Sequence, residues 1–249
     1  FSRERRFGDT MYFENVSNFI LRDVVFRNPV TYAFHACKLS YFIIDGVEFD
    51  FTTWNPMQGN MDGVHLDGGS HHGKITNLRG CCFDDLLALN ANDGHCSACE
   101  GEISDIDADG IYCEYCHSAV RLLSTGAPLK RVTVRNIHGN FYRYAVGLTH
   151  FFADRNTRGK FDDIVISDCF AAKALKPKEY KWEMEPFPPI YVDRKLDIGN
   201  LLVERLRRDE HTEALPSIRV TESTRIENLT CRDCGTANLM DEKMVFLQN

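Results

Sequence analysis

Two acidic clusters lie one repeat length apart in this chain. Asn60-Met61-Asp62-Gly63 is followed by Asp84-Asp85, so Asp62 and Asp85 are 23 residues apart. If that distance is one turn of a coiled sheet, the carboxylates meet on neighbouring strands, about 4.8 Å apart. Three carboxylates so placed can split a glycosidic bond. A protonated carboxyl donates to the leaving oxygen while an ionised one activates water, and in the inverting case ~6.5–9.5 Å separates the two. Crowded like charges keep one of the carboxyls protonated near neutral pH. Residues 84 and 85 would point to opposite faces of a regular strand, so both enter one groove only where the backbone bends. The bland alternative is a polar turn, and Asp162-Asp163 is such a pair with no role assigned. Asp62, one coil earlier, favours the catalytic reading.

Other polar residues flank the clusters. His65 and Asp67 share a strand face and are expected to line the same groove. Asn60 would stack along the coils or orient Asp62. Asn90 follows the second cluster and is expected to contact sugar hydroxyls, with Trp54 and Tyr115 as stacking platforms or simple packing.

The elements that must position these groups form a repeat. Short apolar, strand-like units end at Val24, Val47, Leu78, Ile106, Ile137, Cys169, Leu206 and Leu229, which are 23 to 37 residues apart. Each alternates, is rich in Ile and Val, and ends near Asn, Asp or Gly. So irregular a period does not suit a propeller. It suits an all-β parallel β-helix whose insertions leave at the corners, with Asn accepting left-handed backbone angles at the bends. Residues 1–249 are read as one such domain, and residues 173–189, rich in Lys, Glu and Pro, as a long excursion between coils. An antiparallel sandwich would need more Asn-Gly or Asp-Gly hairpin turns than the chain carries.

Composition narrows the partners. Hydrophobic residues are 43% of the 249, enough for a core, and the net charge of −7 includes no basic block. Nucleic acid is therefore a poor partner, and no apolar run is long enough to span a membrane. Phe1 to Arg6 is charged and polar rather than a signal peptide, and a leader or amino-terminal cap trimmed from the start is compatible with it. A carbohydrate substrate is the expected partner, and the oligomeric state is left open.

The segment from Phe26 to Cys37, then Ile43 to Val47, Asn60 to Val64 and Asp84-Asp85 resembles the polygalacturonase family of glycoside hydrolases, family 28, and its bacterial relatives. The resemblance covers roughly residues 10–170 and implies a right-handed parallel β-helix. The family's Asn-Thr-Asp motif stands here as Asn60-Met61-Asp62, its Gly-Asp-Asp as Phe83-Asp84-Asp85, and its Gly-His-Gly as Cys116-His117-Ser118. By this resemblance Asp84 is the general acid, Asp62 and Asp85 position the water, and His117 tunes the acid or holds the substrate. The family's Arg-Ile-Lys, which grips a uronate, has no counterpart; the matching coil reads Tyr144 to His150. Arg121, Arg143 and His150 are the candidates to replace it, and a neutral sugar is as acceptable as an acidic one. No cofactor or metal is expected for this chemistry.

Ten cysteines in so long a chain do not make a small disulfide scaffold. Cys37, Cys81, Cys169 and Cys231 fall at core-like positions, which favours a reducing, cytoplasmic compartment, with secretion as the alternative. Cys96, Cys99, Cys113 and Cys116 form two Cys-x-x-Cys pairs, which reads as a zinc knuckle or as free core thiols. Two rivals use the same residues. A lyase would hold calcium on Asp62, Asp84 and Asp85, with Arg121 as the base. A non-catalytic β-helix adhesin or spike would only bind sugar.

Overall fold

A computed structural model describes residues 8–55, 59–92, 99–150, 156–178, 180, 187–208, 216–236 and 245–247. The first strands are Met11–Glu14 (β1), Ser17–Arg22 (β2), Val25–Arg27 (β3), Phe34–Cys37 (β4), Ser40–Asp45 (β5), Glu48–Asp50 (β6) and Val64–Asp67 (β7). Next come His71–Cys81 (β8), Asp85–Asn92 (β9), Ile103–Cys116 (β10), Ser118–Ser124 (β11), Pro128–Phe141 (β12), Val146–Thr149 (β13) and Gly159–Lys173 (β14). The last are Ile190–Val192 (β15), Leu196–Arg208 (β16), Ile218–Val220 (β17), Arg225–Arg232 (β18), Gly235–Thr236 (β19) and Val245–Leu247 (β20).

One sheet runs β1-β4-β7-β9-β11-β13-β15-β17-β20, and the second runs chiefly β18-β16-β14-β12-β10-β8-β5-β2. The pairings are parallel and join each coil to the next. The chain is an all-β, right-handed parallel β-helix, as expected, and parallel pairing throughout removes the sandwich.

The long strands of the second sheet alternate because one face is core and the other solvent. Leu129, Val132, Val134 and Ile137 of β12 point inward, in register with Phe161, Ile164, Ile166 and Cys169 of β14. Their outward neighbours carry charges that pair between coils, as in Arg131 Nε to Asp105 Oδ1 at 2.6 Å and Arg135 Nε to Asp109 Oδ2 at 3.0 Å.

The observed column that ends each unit is Val24, Val47, Leu78, Ile111, Ile137, Cys169, Leu206 and Cys234. The expected column had Ile106 and Leu229 in place of Ile111 and Cys234. The reason is a second bend in the long strands. Asp105, Arg131 and Asp163 have φ of 59°, 52° and 51°, and five residues later Gly110, Asn136 and Asp168 have 82°, 55° and 54°. Each bend brackets its own pair of apolar residues, so Ile103 to Ile106 mimics the true unit, Ile106 to Ile111.

The short strands of the first sheet are buried on both faces: β4 and β7 throughout, and β9 up to Ala91. Several of their outward side chains are nevertheless polar. His35, His65, Asp67 and Asn90 all sit there out of solvent. A polar yet buried outer face is the local feature from which the site is built.

Candidate active site

Asp84 lies in a bend directly before β9, and Asp85 is the first residue of that strand. This is the bend the two carboxylates needed to reach one place. His117, directly before β11, lies between them, its Nδ1 3.5 Å from Asp84 Oδ1 and 3.6 Å from Asp85 Oδ1. Asp62 lies one coil back, and the two coils are stitched by main-chain bonds from Gly63 N to Asp85 O at 3.0 Å and from Asp84 N to Met61 O at 3.2 Å. So close an approach requires glycine at 63, because a Cβ there would lie 2.6 Å from Leu86 O. Asn60 takes a left-handed φ of 56°, and its backbone N–H donates to Asp84 Oδ2 at 2.9 Å.

The environments separate the carboxyls. Burial, then the nearby charges of Asp62 and Asp85, push Asp84 up to about 6. Burial also opposes ionisation of Asp85, but Arg121, His117 and Ser118 outweigh it and hold that carboxyl well below the usual range. Arg121 Nη1 is 3.2 Å from Asp85 Oδ2, and the Ser118 hydroxyl donates to Asp85 Oδ1. Asp62 is raised by burial, with His65 countering and Asp85 adding to the effect. Against burial, Tyr144 and the aspartates raise Arg121 further, which makes it a poor proton acceptor for lyase chemistry.

His65 and Asp67 do not line an open groove. They continue inward from Asp62 as a chain: His65 Nδ1 is 2.6 Å from Asp62 Oδ2, and His65 Nε2 is 3.3 Å from Asp67 Oδ1. His35 Nε2 is 2.8 Å from Asp67 Oδ2, and its Nδ1 is 2.7 Å from Asp9 Oδ2. Burial works against a charged imidazole at 65, yet its bonds to Asp62 and Asp67 push it up to about 10. Asn90 joins this chain, with its amide nitrogen 3.0 Å from His65 Nε2, so it is withdrawn from direct solvent contact. Among the described residues, two groups could offer a cation one ligand atom each: Asp84, Asp85 and His117, and His35, His65 and Asp67.

Aromatic residues wall the acids. Trp54 stacks on Phe83 with ring centres 4.0 Å apart, so its face is already occupied. Tyr115 packs against Tyr142 rather than over the carboxylates. Tyr180, from the excursion that follows β14, has its hydroxyl 3.4 Å from His117 Nε2 and its ring 5.8 Å from Trp54. Arg143 Nη1 is 3.3 Å from the same imidazole nitrogen, which places the ring proton on Nδ1, facing the aspartates. Beyond the acids, Arg143 lies 5.1 Å over Tyr144, and Arg219 lies 5.2 Å over Tyr191 on a later coil.

His150 and the described cysteines of the two Cys-x-x-Cys pairs fall elsewhere. His150 is buried just past the far end of β13, its N–H donating to Asp193. Cys99 is not brought to Cys113 and Cys116. Cys99 bonds the Cys37 thiol near the end of β9, while Cys113 and Cys116 cluster with Cys81 and Cys82 near its start, on the order of 20 Å away at the rise of a strand. Cys96 lies outside the described residues.

Sequence reasoning missed Asp9, His35, Ser118, Tyr144 and Tyr180 as site neighbours. Register would have found one of them: His35 pairs directly with His65 across 30 residues.

No protein-family model and no curated protein matches this chain. Among solved structures, the Streptococcus pneumoniae surface protein and adhesin PfbA is similar, with a TM-score of 0.57 at 10% identity. The match covers 96% of this chain and 68% of that one. At that identity the likeness is one of fold, and the class it defines is the parallel β-helix proteins.

Proposed function

We propose that this chain is a glycoside hydrolase that cleaves a bond in a poly- or oligosaccharide with inversion. The observation that carries the reading is the separation of neighbouring carboxyls: Asp84 titrates at about 6 while Asp85 stays ionised beside Arg121. Neighbouring carboxyls of opposite protonation suit general acid and base catalysis. Ligand oxygens of Asp84 and Asp85 lie within 4.8 Å of each other, inside the ~6.5–9.5 Å of the usual inverting pair, so inversion here is what the resemblance to family 28 implies. Asp84 donates to the leaving oxygen; Asp85, with Asp62, holds and deprotonates the water. Among the described residues, Arg143 Nε and the Tyr144 hydroxyl have no hydrogen-bond partner beside this pair, and they suit sugar hydroxyls or a uronate.

The likeness to an adhesin supports one other reading, a β-helix that binds sugar without cutting it. Both are tested by release of reducing ends from a panel of plant and microbial polysaccharides, comparing wild type with Asp84→Asn. The hydrolase requires one substrate to be cut and the variant to lose at least ~100-fold. If no polysaccharide is cut, or if the variant matches wild type, the aspartates are not a catalytic set.

A further inference from the structure

We infer that His35, His65, Asp67 and Asn90 form a binding site for one divalent transition-metal ion of the zinc class, buried beside the aspartates. No metal was expected here from the sequence. The inference stands on three adjacent coils held in register. His35 on β4 pairs with His65 on β7, and Asp67 on β7 pairs with Asn90 on β9, so the four side chains leave one face of the sheet within two strand spacings.

The ligand atoms converge. His35, His65 and Asp67 can each offer one atom within 4.8 Å of the others. The Asp67 carboxylate lies between the imidazoles, 2.8 Å from His35 Nε2 and 3.3 Å from His65 Nε2. Four ligands at the ~2.0–2.2 Å bond lengths of zinc stand a little over 3 Å apart, so a small inward or outward adjustment admits the ion. Two imidazoles, one carboxylate and an amide oxygen are the donor types such an ion takes.

The supporting atoms are in place as well. Each imidazole that turns Nε2 toward the centre has Nδ1 against a second carboxylate: His35 on Asp9 at 2.7 Å and His65 on Asp62 at 2.6 Å. That carboxylate–histidine arrangement fixes ring orientation and strengthens the nitrogen as a ligand in metal sites. Tyr32 stacks on His65 at 4.1 Å and closes one side.

Asn90 supplies the independent sign. It is 5% exposed, its amide nitrogen sits 3.0 Å from His65 Nε2, and its buried Oδ1 has no hydrogen-bond partner among the described residues. Amide nitrogen and oxygen are interchangeable by a half-turn. With the amide turned, Oδ1 replaces a donor at the centre and gives the ion its fourth ligand. The rival group, Asp84, Asp85 and His117, already holds the Arg121 guanidinium on Asp85, and a second cation there would be repelled.

The test uses the whole chain and zinc ion as the probe, and it reads binding rather than hydrolysis. Failure of the hydrolase reading therefore leaves it standing, and the reverse also holds. Protein stripped with EDTA is titrated calorimetrically with zinc chloride, its metal content measured after dialysis, and its melting followed with and without zinc. The expected result is one equivalent per chain and a higher Tm with zinc. Asp9→Asn, which removes only a supporting carboxylate, should weaken binding by roughly 10- to 100-fold. His35→Gln should abolish the stoichiometric site, and Asp84→Asn should keep it. Wild-type protein that takes up no zinc and melts identically in EDTA overturns the inference, and this comparison needs no variant to fold. A site lost in Asp84→Asn but kept in His35→Gln overturns it equally, by moving the ion to the aspartates.

Discussion

At the scale of single residues, the site is a problem in charge. Asp84 carries a carboxyl raised from 3.8 to about 6. Its protonated form is therefore favoured by folding. That contribution is complete below the unfolded value and is lost as pH rises through about 6. At pH 7 the ionised Asp84 destabilises the fold by up to about 3 kcal/mol. Asp84→Asn should accordingly be more stable than wild type at pH 7, with the difference shrinking towards pH 4, as chemical denaturation across that range will show. On the proposed hydrolase reading, hydrolysis should fall as pH rises beyond about 6, and this limb is read from kcat/KM. Asp85 and Arg121 behave in the opposite way. Asp85 is fully buried and the Arg121 side chain is 13% exposed, so Arg121→Ala leaves an uncompensated buried carboxylate. The expected loss is about 3–5 kcal/mol, measured by urea unfolding at pH 7.

At the scale of elements, the coils depend on bends more than on strands. Asn136 has φ 55°, and its side chain bonds Asp109 Oδ1 at 2.6 Å on the coil before. Left-handed backbone costs a residue with a Cβ roughly 1–2 kcal/mol unless local hydrogen bonding offsets it. Asn136→Ala should lose about that much, and Asn136→Gly less, because glycine adopts the angle freely. Equal losses in urea melts would show that the Asp109 bond, and not the backbone angle, matters at this bend. The same bends explain the misread register. Ile103 and Ile106 flank Asp105 as an apolar pair, and only the pairing of Ile111 with Leu78 and Ile137 shows which pair belongs to the main column. Periodicity reports that a strand is half-buried. It does not report which of two bends a unit precedes.

At the scale of the whole molecule, stacking brings distant segments onto the acids. Tyr180 leaves the excursion after β14 and meets His117 and Trp54, so a segment that looked like a connection forms part of the wall. Stacking also gathers the thiols, and it separates them by reactivity. Cys82, Cys113, Cys116 and Cys169 are buried, whereas Cys234 is partly exposed and its thiol is lowered to about 7, chiefly by the hydrogen bond with Cys231. Reactivity follows thiolate content and access. Among the described cysteines, Cys234 should label first with iodoacetamide in native protein, as peptide mapping will reveal. Early labelling of Cys82 or Cys113 instead would mean that the core opens there.

Composition and the repeat by themselves determined that this is an all-β solenoid, because alternation and recurring Asn and Asp bends are local properties of the chain. They also brought Asp62 and the Asp84-Asp85 pair together, since one coil separates the two and no long insertion intervenes. Tertiary structure alone decided the rest. Whether Asp84 and Asp85 share a site rested on the bend before β9. Whether His65 faces a sugar or a second histidine rested on the register of β4 with β7. Whether Cys99 meets Cys113 and Cys116 rested on which end of β9 each one reaches. In a stacked coil, the neighbours that set a side chain's charge lie a full turn away, and turns of unequal length hide that distance from the sequence.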